Sequence, residues 1–481
     1  MSLTRSDLHP YQSRAVEFVK DKPYCALWIG MRLGKTITTL TAIADLYDDF
    51  AVTQVLVVAP LRVALSSWPR DFHKWDHIKH LSYQVINGTP AQRERAANTY
   101  AHVHIVNVEN LAWLVQHHGK EWPYDMVVLD EARAFKNHKR RTGLWGKMTD
   151  DERRTLTKDG RKVTNGGYTR FGAMAKVRPK VSRVVELTGT PAPGGLPDLW
   201  AQMYLLDGGA RLGKTITSFR DRFFDYNKYT FTYVPKKGSK ERIFDLVSDI
   251  TFVLESGDYV SLPEKIPAFV DVPLPKKAMD AYRTLEQEFV MEFDGGEVEI
   301  LSAAAKLNKL MQISNGAAYI DEDKNWVEYH QEKLLALEEI IEEANGENVL
   351  VVYTHIPDKE RILKKFKKFK FLDKNPKTID DWNAGKIPGL VCHGRSAGHG
   401  LDLFGGGNII VWFGQTHDLE IYQQLNERLS VPEKTEPIRI YHLCGEGTVD
   451  RDVAEVVLES KSMNQKELLT EVKKRMEKRG R

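Results

Sequence analysis

Short apolar runs separated by amphipathic stretches set the pattern of this chain. Residues 24–29 (YCALWI), 55–59 (VLVVA), 103–106 (VHIV), 126–129 (MVVL) and 184–187 (VVEL) have the length and composition of strands in a buried parallel sheet. After the first run, Ile37, Leu40, Ala44 and Tyr47 recur at helical spacing and predict a helix. Sheet signal returns at 349–353, 390–392, 409–413 and 438–443, with helical stretches between. From Leu196 to about Gln331 the pattern is mainly helical. The clusters Phe219, Phe223, Phe224, Tyr226 and Leu307, Leu310, Met311 there are expected in the core. The expected fold class is α/β, with two parallel-sheet units and helical insertions between them.

The first strand runs into Gly30-Met31-Arg32-Leu33-Gly34-Lys35-Thr36 and then into the predicted helix. Strand, tight turn and helix N-terminus together make a phosphate cradle. Turn amides and the positive helix end face the phosphates, a lysine such as Lys35 reaches the β/γ-phosphates, and a hydroxyl such as Thr36 reaches magnesium. Ile29 stands where the strict pattern has its first glycine. A second stretch, Gly208-Gly209-Ala210-Arg211-Leu212-Gly213-Lys214-Thr215, satisfies the strict pattern, yet it follows a segment that reads as a helix ending at Gly208-Gly209. Context therefore assigns the nucleotide to Lys35 and Thr36, not to Lys214.

The fourth run leads directly into Asp130-Glu131-Ala132-Arg133. Adjacent carboxylates after a buried strand are costly unless they hold a cation or move a proton. Beside a phosphate loop, Asp130 is expected to hold magnesium and Glu131 to orient and deprotonate the attacking water. A helix N-terminus decorated with acids would explain the pair but not its position. The fifth run ends in Thr188-Gly189-Thr190-Pro191, a turn whose hydroxyls can relay a change at the phosphate to neighbouring loops. Near the start, Gln12 of Leu8-His9-Pro10-Tyr11-Gln12 could offer donor and acceptor to an adenine edge, and 14–20 reads as a helix. In the second unit, Ser396 to Leu401 is a glycine-rich turn, and Arg428, on a helix with Gln424, is the candidate to meet the γ-phosphate when the two units close.

The 481 residues exceed one ordinary core, and 42% apolar content supplies material for two or three domains. Apolar runs are strand-sized, so no membrane span is expected, and the first residues lack a signal-peptide core, so a cytoplasmic location is. Cys25, Cys392 and Cys444 are isolated, which fits buried thiols better than a zinc or disulfide framework. Net charge is only +3, but basic residues crowd 136–162, including Lys139, Arg140 and Arg141, and the last nine residues, Lys473 to Arg481. Such runs are solvated faces or phosphate-binding surfaces.

In this order the blocks resemble the Swi/Snf-like ATPases of helicase superfamily two, most closely the compact forms of phages and bacteria. Leu8 to Gln12 is similar to the opening motif, and Leu33-Gly34-Lys35-Thr36 to motif I. Ala59-Pro60-Leu61 with Trp68 and Trp75 is similar to motif Ia, Asp130-Glu131 to motif II, and Leu187 to Pro191 to motif III. Leu262 to Lys265 and Leu307 to Gln312 resemble inter-lobe markers. Ser396 to Leu403 resembles motif V, Gln424 with Arg428 motif VI, and Gly447 to Asp450 the closing block.

The resemblance implies two RecA-like lobes, lobe 1 over 1–205 with a basic insertion at 138–180, and lobe 2 over 331–481 with a basic tail. A helical protrusion occupies 206–330. It implies ATP and Mg2+ as cofactors and double-stranded DNA as partner, in a monomer that translocates in the cytoplasm of a bacterial or phage-infected cell. Gln12, Leu33, Gly34, Lys35 and Thr36 would bind nucleotide, and Thr36 and Asp130 the metal. Lys35, Glu131, Gln424 and Arg428 would serve hydrolysis, and Arg133, Thr188, Thr190, Gly398 and Gly400 coupling. Lys139, Arg140 and Arg141 would contact phosphates of the nucleic acid. Three departures stand out: Arg133 where the family has histidine, Asp402 where it has asparagine, and Val431 where motif VI has a second arginine. A single-strand or RNA helicase of the superfamily and a non-hydrolysing DNA clamp are the alternatives.

Overall fold

The structure, a computed structural model, describes residues 2–135, 169–227, 232–255, 259, 261–294, 300–321, 323–373, 375–397 and 401–479. The chain divides into two units, Met1–Tyr259 with Asn464–Arg481, and Val260–Met463.

In the first unit the strands are β1 (Tyr24–Ile29), β2 (Val55–Ala59), β3 (Tyr83–Ile86), β4 (Val103–Asn107), β5 (Met126–Asp130), β6 (Arg183–Thr188), β7 (Phe224–Asn227), β8 (Thr232–Pro235) and β9 (Thr251–Leu254). All but β7 and β8 form one sheet in the order β3-β4-β2-β5-β6-β1-β9, with every pair parallel. β7 and β8 form an antiparallel hairpin. Parallel strands covered on both faces need apolar side chains on both, which is why β1, β2 and β5 read as near-continuous apolar runs and β4 as one interrupted by His104, whose ring nitrogens bond the Tyr124 hydroxyl and Thr99 O. Each of the five expected runs is a strand of this sheet. β1 feeds helix α2 (Lys35–Asp48), whose apolar positions are buried as the spacing predicts. Helix α1 (Pro10–Asp21) begins earlier than the expected 14–20, with Pro10 in its first turn, where a missing N–H costs nothing.

The second unit contains β10 (Lys265–Val272), β11 (Ala317–Tyr319), β12 (Trp326–Glu328), β13 (Val349–Tyr353), β14 (Lys370–Phe371), β15 (Gly389–His393), β16 (Ile409–Trp412) and β17 (Ile438–Gly445). Its parallel sheet has the order β10-β17-β16-β13-β15-β14, and β11 pairs with β12 in a small antiparallel ribbon. Along β13, Leu350 and Val352 enter the core on one face while Val349, Val351 and Tyr353 enter the core on the other.

Two features differ from the sequence expectation. The stretch 206–330, expected as one helical region, is shared: 206–259 belongs to the first unit, where it supplies β9, and 260–330 to the second, where it supplies β10. The C-terminal residues 464–481, expected with the second lobe, pack into the first unit. The helix Ser462–Arg479 buries Leu468 and Val472 in that unit's core, and its Glu467 and Arg475 pair with Lys240 and Asp245.

Candidate nucleotide site

The turn after β1 is built around two left-handed residues, Arg32 (φ 65°) and Gly34 (φ 75°), the second directly preceding α2. Only glycine takes that conformation without steric cost. α1 closes over the turn. The Gln12 side chain accepts from His9 N at 2.8 Å and donates to Leu33 O at 3.2 Å. Gln12 is thus spent largely on shaping the loop, with one amide hydrogen left for another acceptor. Lys35 Nζ lies against the loop's own carbonyls, Ile29 O at 3.0 Å and Gly30 O at 3.4 Å, with a third donor remaining. Thr36 sits in the first turn of α2, half-buried.

Adjacent strand ends bring the next residues to this loop. In the sheet β6 lies between β5 and β1, with Asp130 paired to Leu187 and Thr188 paired to Trp28. Asp130 is buried and accepts from Trp68 Nε1 at 2.9 Å. Burial, and then the neighbouring Glu131 charge, raise the Asp130 pKa, while Trp68 and Lys35 oppose the rise. Glu131 occupies a left-handed conformation (φ 56°) at the turn into Ala132–Phe135, and its Oε2 is buried without a hydrogen-bond partner among the described residues. A buried carboxylate oxygen left in this state is primed for a donor. Arg133 lies on the same short helix, half-buried.

Thr188 closes β6 and accepts from Thr190 N at 3.0 Å, while Thr190 Oγ1 is buried with no partner among the described residues. Gly189 passes beside the phosphate loop, since a β-carbon there would lie 3.4 Å from Ile29 O. One carboxylate and one hydroxyl suit magnesium, which takes few protein oxygens and completes its shell with water and phosphate. Among the described residues no cluster of three or more His, Cys, Asp or Glu side chains competes for a metal.

The decoy loop differs physically. It joins helix Leu199–Asp207 to helix Ile216–Phe223, with no strand before it. Its free amides are already used: Gly209 N and Ala210 N donate to Asp207 Oδ1 at 2.8 and 3.0 Å, and Arg211 N donates to Oδ2 at 3.1 Å. An internal carboxylate fills the place that a phosphate would take.

In the second unit, Arg428 Nη1 donates to Leu401 O at 3.2 Å, joining the expected motif VI to the turn after β15. Gln424 is buried and donates to Glu420 Oε1 at 2.6 Å. Val431 is buried and Asp402 exposed. Gly398, Gly400, Lys139, Arg140 and Arg141 lie outside the described residues.

Two contributors had no assigned role in the sequence. Trp68 belongs to an expected motif, but its bond to Asp130 spans 62 positions. Lys333, fully buried, pairs with Asp450 at 2.6 Å and donates to Asn315 Oδ1 at 2.8 Å. Ser314 Oγ at 2.5 Å and Gly445 N at 3.1 Å also donate to Asp450 Oδ2. The closing block is thereby tied to the end of helix Ile300–Asn315, the helix carrying the second inter-lobe marker. A lysine on an amphipathic helix carries no local signal of such a role.

A family model described as the SNF2-related domain matches residues 11–317. Protein p41 of Acyrthosiphon pisum secondary endosymbiont phage 1 is 39% identical over 480 residues, which make up 97% of this chain and 98% of that protein. The human DNA excision repair protein ERCC-6-like is 25% identical over 199 residues, 40% of this chain but 13% of that relative. Among solved structures, the Sulfolobus solfataricus SWI2/SNF2 ATPase core in complex with dsDNA aligns with 96% of this chain and 93% of its own at 19% identity, with a TM-score of 0.43. A domain match over more than half the chain, together with a relative matched from end to end, establishes that the chain belongs to the SNF2-related family of superfamily-two ATPases.

Proposed function

We propose that this protein is an ATP-dependent motor that moves along double-stranded DNA. The observation that carries the proposal is the placement of Lys35, Asp130 and Thr188 at or just beyond the ends of the neighbouring strands β1, β5 and β6. Backbone amides around Leu33 and Gly34 and the start of α2 bind the phosphates. Lys35 turns from the Ile29 and Gly30 carbonyls to the β/γ-phosphates, and Gln12 offers its remaining amide hydrogen to the adenine. Thr36 and Asp130 would hold magnesium, which when bound neutralises charge on the phosphates. Glu131 Oε2 orients the attacking water and accepts its proton.

Arg428 and Gln424 of the second unit are assigned the γ-phosphate charge. Arg428 acts as a single arginine, because Val431 stands at the second position. Arg133, Thr188, Thr190, Gly398 and Gly400 are assigned coupling, and Lys139, Arg140 and Arg141 contact with the DNA backbone. The p41 likeness supports a place in a bacterial or phage-infected cytoplasm.

Phosphate release measured with duplex DNA, single-stranded DNA, RNA and no nucleic acid tests the proposal, with Lys35→Ala as the inactive control. Duplex stimulation is expected. Stimulation by single strands or RNA alone would make the protein a helicase of another type, and no release with any of them would make it a clamp. Arg428→Ala is expected to lower turnover by about a hundredfold or more, the scale of losing one charge that stabilises a transition state. Unchanged turnover removes its role.

A further inference from the structure

The segment Lys364-Lys365-Phe366-Lys367-Lys368-Phe369-Lys370 places five lysines in seven positions of a chain whose net charge is +3. It begins on the last residues of helix Ile356–Lys365 and ends on the first residue of β14, the edge strand of the second unit's sheet. The two phenylalanines fix it. Their rings stack at 5.0 Å with planes 23° apart, and Phe369 fills the space beside Gly389, the first residue of β15, where a β-carbon would lie 2.3 Å from the ring. Lys364, Lys367, Lys368 and Lys370 are exposed, and among the described residues none of the four has an ion pair. Lys365 differs, pairing with Glu338 at 2.7 Å.

Ordinary structural roles account for part of this charge. Lysines in a last helical turn complement the helix dipole, and a lysine on an edge strand discourages strand addition. Lys364 and Lys370 fit those roles, but Lys367 and Lys368, in the loop between, fit neither. Four like charges within seven consecutive positions repel one another, most strongly at low salt, and a polyanion bound there relieves the repulsion. The location is also specific. Helix Ile356–Lys365 starts beyond the end of β13 and the chain re-enters the sheet at the start of β14, so the lysines line the rim where strands begin. The turn of the expected motif V leaves the end of β15, on the opposite rim.

We propose that this rim is a second nucleic-acid contact, separate from the motor's own track, that binds the phosphate backbone of duplex DNA without reading its sequence. The choice of DNA as the polyanion rests on the motor reading above. Such a contact would keep the protein on its substrate while the motor releases and re-engages.

The test compares the full chain with a variant carrying Lys364→Gln, Lys367→Gln, Lys368→Gln and Lys370→Gln, and with the corresponding four-arginine variant. Binding of a random-sequence duplex is followed by fluorescence anisotropy over a range of salt, without nucleotide. Each duplex phosphate that a lysine no longer neutralises flattens the slope of log affinity against log salt by about 0.9, so the glutamine variant is expected to lose roughly 2 to 4 in slope. Its affinity should fall at least tenfold on the same basis. The arginine variant should bind like the parent, and basal ATPase without DNA should be unchanged in both. Identical slopes and affinities in parent and glutamine variant overturn this proposal alone. A parent that binds no duplex overturns it together with the DNA reading. Loss of binding to phosphatidylserine vesicles with duplex binding untouched overturns it in favour of a lipid surface.

Discussion

Gln12 and Gly34 are fitted to one another: a β-carbon on residue 34 would lie 2.2 Å from Gln12 Nε2, the atom that donates to Leu33 O. Gly34 also holds φ at 75°. Gly34→Ala therefore meets two separate penalties, a clash with a side chain that can move and a left-handed backbone that cannot relax. The backbone part costs about 1–2 kcal/mol. Removing the obstructing amide with Gln12→Ala should relieve the clash and leave the backbone cost, so the double variant should be less impaired than the sum of the singles. Thermal unfolding and nucleotide titration of all four forms measure this, and strict additivity would show that the two side chains do not communicate.

The two Gly-Lys-Thr stretches offer an internal control. Lys35→Ala should reduce ATPase by about a hundredfold or more, as expected for loss of a charge on the transferring phosphate. Lys214→Ala should leave turnover unchanged, because Asp207 already occupies the amides of that loop. Steady-state phosphate release for the two variants decides, and the reverse ranking would move the site.

Trp68 supports Asp130 from 62 positions away through a 2.9 Å bond. With Asp130 as the magnesium ligand, Trp68→Phe removes the group that orients the carboxylate. Losing such a support typically costs about 10–100-fold in metal affinity. Half-maximal ATPase should then require at least tenfold more magnesium, whereas the nucleotide concentration needed at saturating magnesium should change little.

What could be read from the sequence follows from how local each feature is. β1, β2 and β5 were legible because a strand buried on both faces is a near-continuous apolar run, and β4 because only His104 interrupts its own. β3 is half-buried along most of its length and β10 is partly exposed, with Pro267 within it, so neither shows that signature. The placement of Lys35 after β1 and of Asp130 at the end of β5 was legible because a strand followed by a turn is written in adjacent residues. The bond from Trp68 to Asp130 and the pair of Lys333 with Asp450, 117 positions apart, arise only when distant elements pack. The packing of 464–481 on the first unit depends likewise on Leu468 and Val472 finding a core that no local periodicity points to.

Glu186 sits in the middle of β6, paired with Ala26 and Leu129, fully buried, with neither carboxylate oxygen hydrogen-bonded among the described residues. Burial, and then the Asp207 charge, raise its pKa well above 4.5. The folded state therefore binds this proton more tightly than the unfolded chain does. Its contribution to stability is complete below 4.5 and is lost as pH rises through the folded value. Glu186→Gln keeps the shape and needs no proton, so its stability should fall less with rising pH than the parent's. Urea denaturation from about pH 5 to about pH 9 should show the variant gaining on the parent toward the alkaline end. Parallel curves would mean that Glu186 finds a partner.

The Lys333 and Asp450 pair yields a prediction about the second unit, because both side chains are completely buried. Removing one member strands the other's charge in a medium that cannot solvate it, a loss of about 3–5 kcal/mol. Lys333→Met should therefore destabilise on that scale. Asp450 would retain the Ser314 and Gly445 donors, but its Oδ1, already without a partner among the described residues, would face no neutralising charge. Adding Asp450→Asn removes the stranded charge while keeping an oxygen for Ser314 and Gly445, so the double variant should recover a large part of the loss. The recovery should also separate fold from motor function. Lys333 holds Asn315 as well as Asp450, and the Asn315 amide in turn donates to Asp358 Oδ2 at 3.0 Å. A double variant of restored stability with weakened DNA-stimulated ATPase would show that this network positions helix Ile300–Asn315 for the motor. Equal recovery of stability and activity would confine its role to holding the unit together.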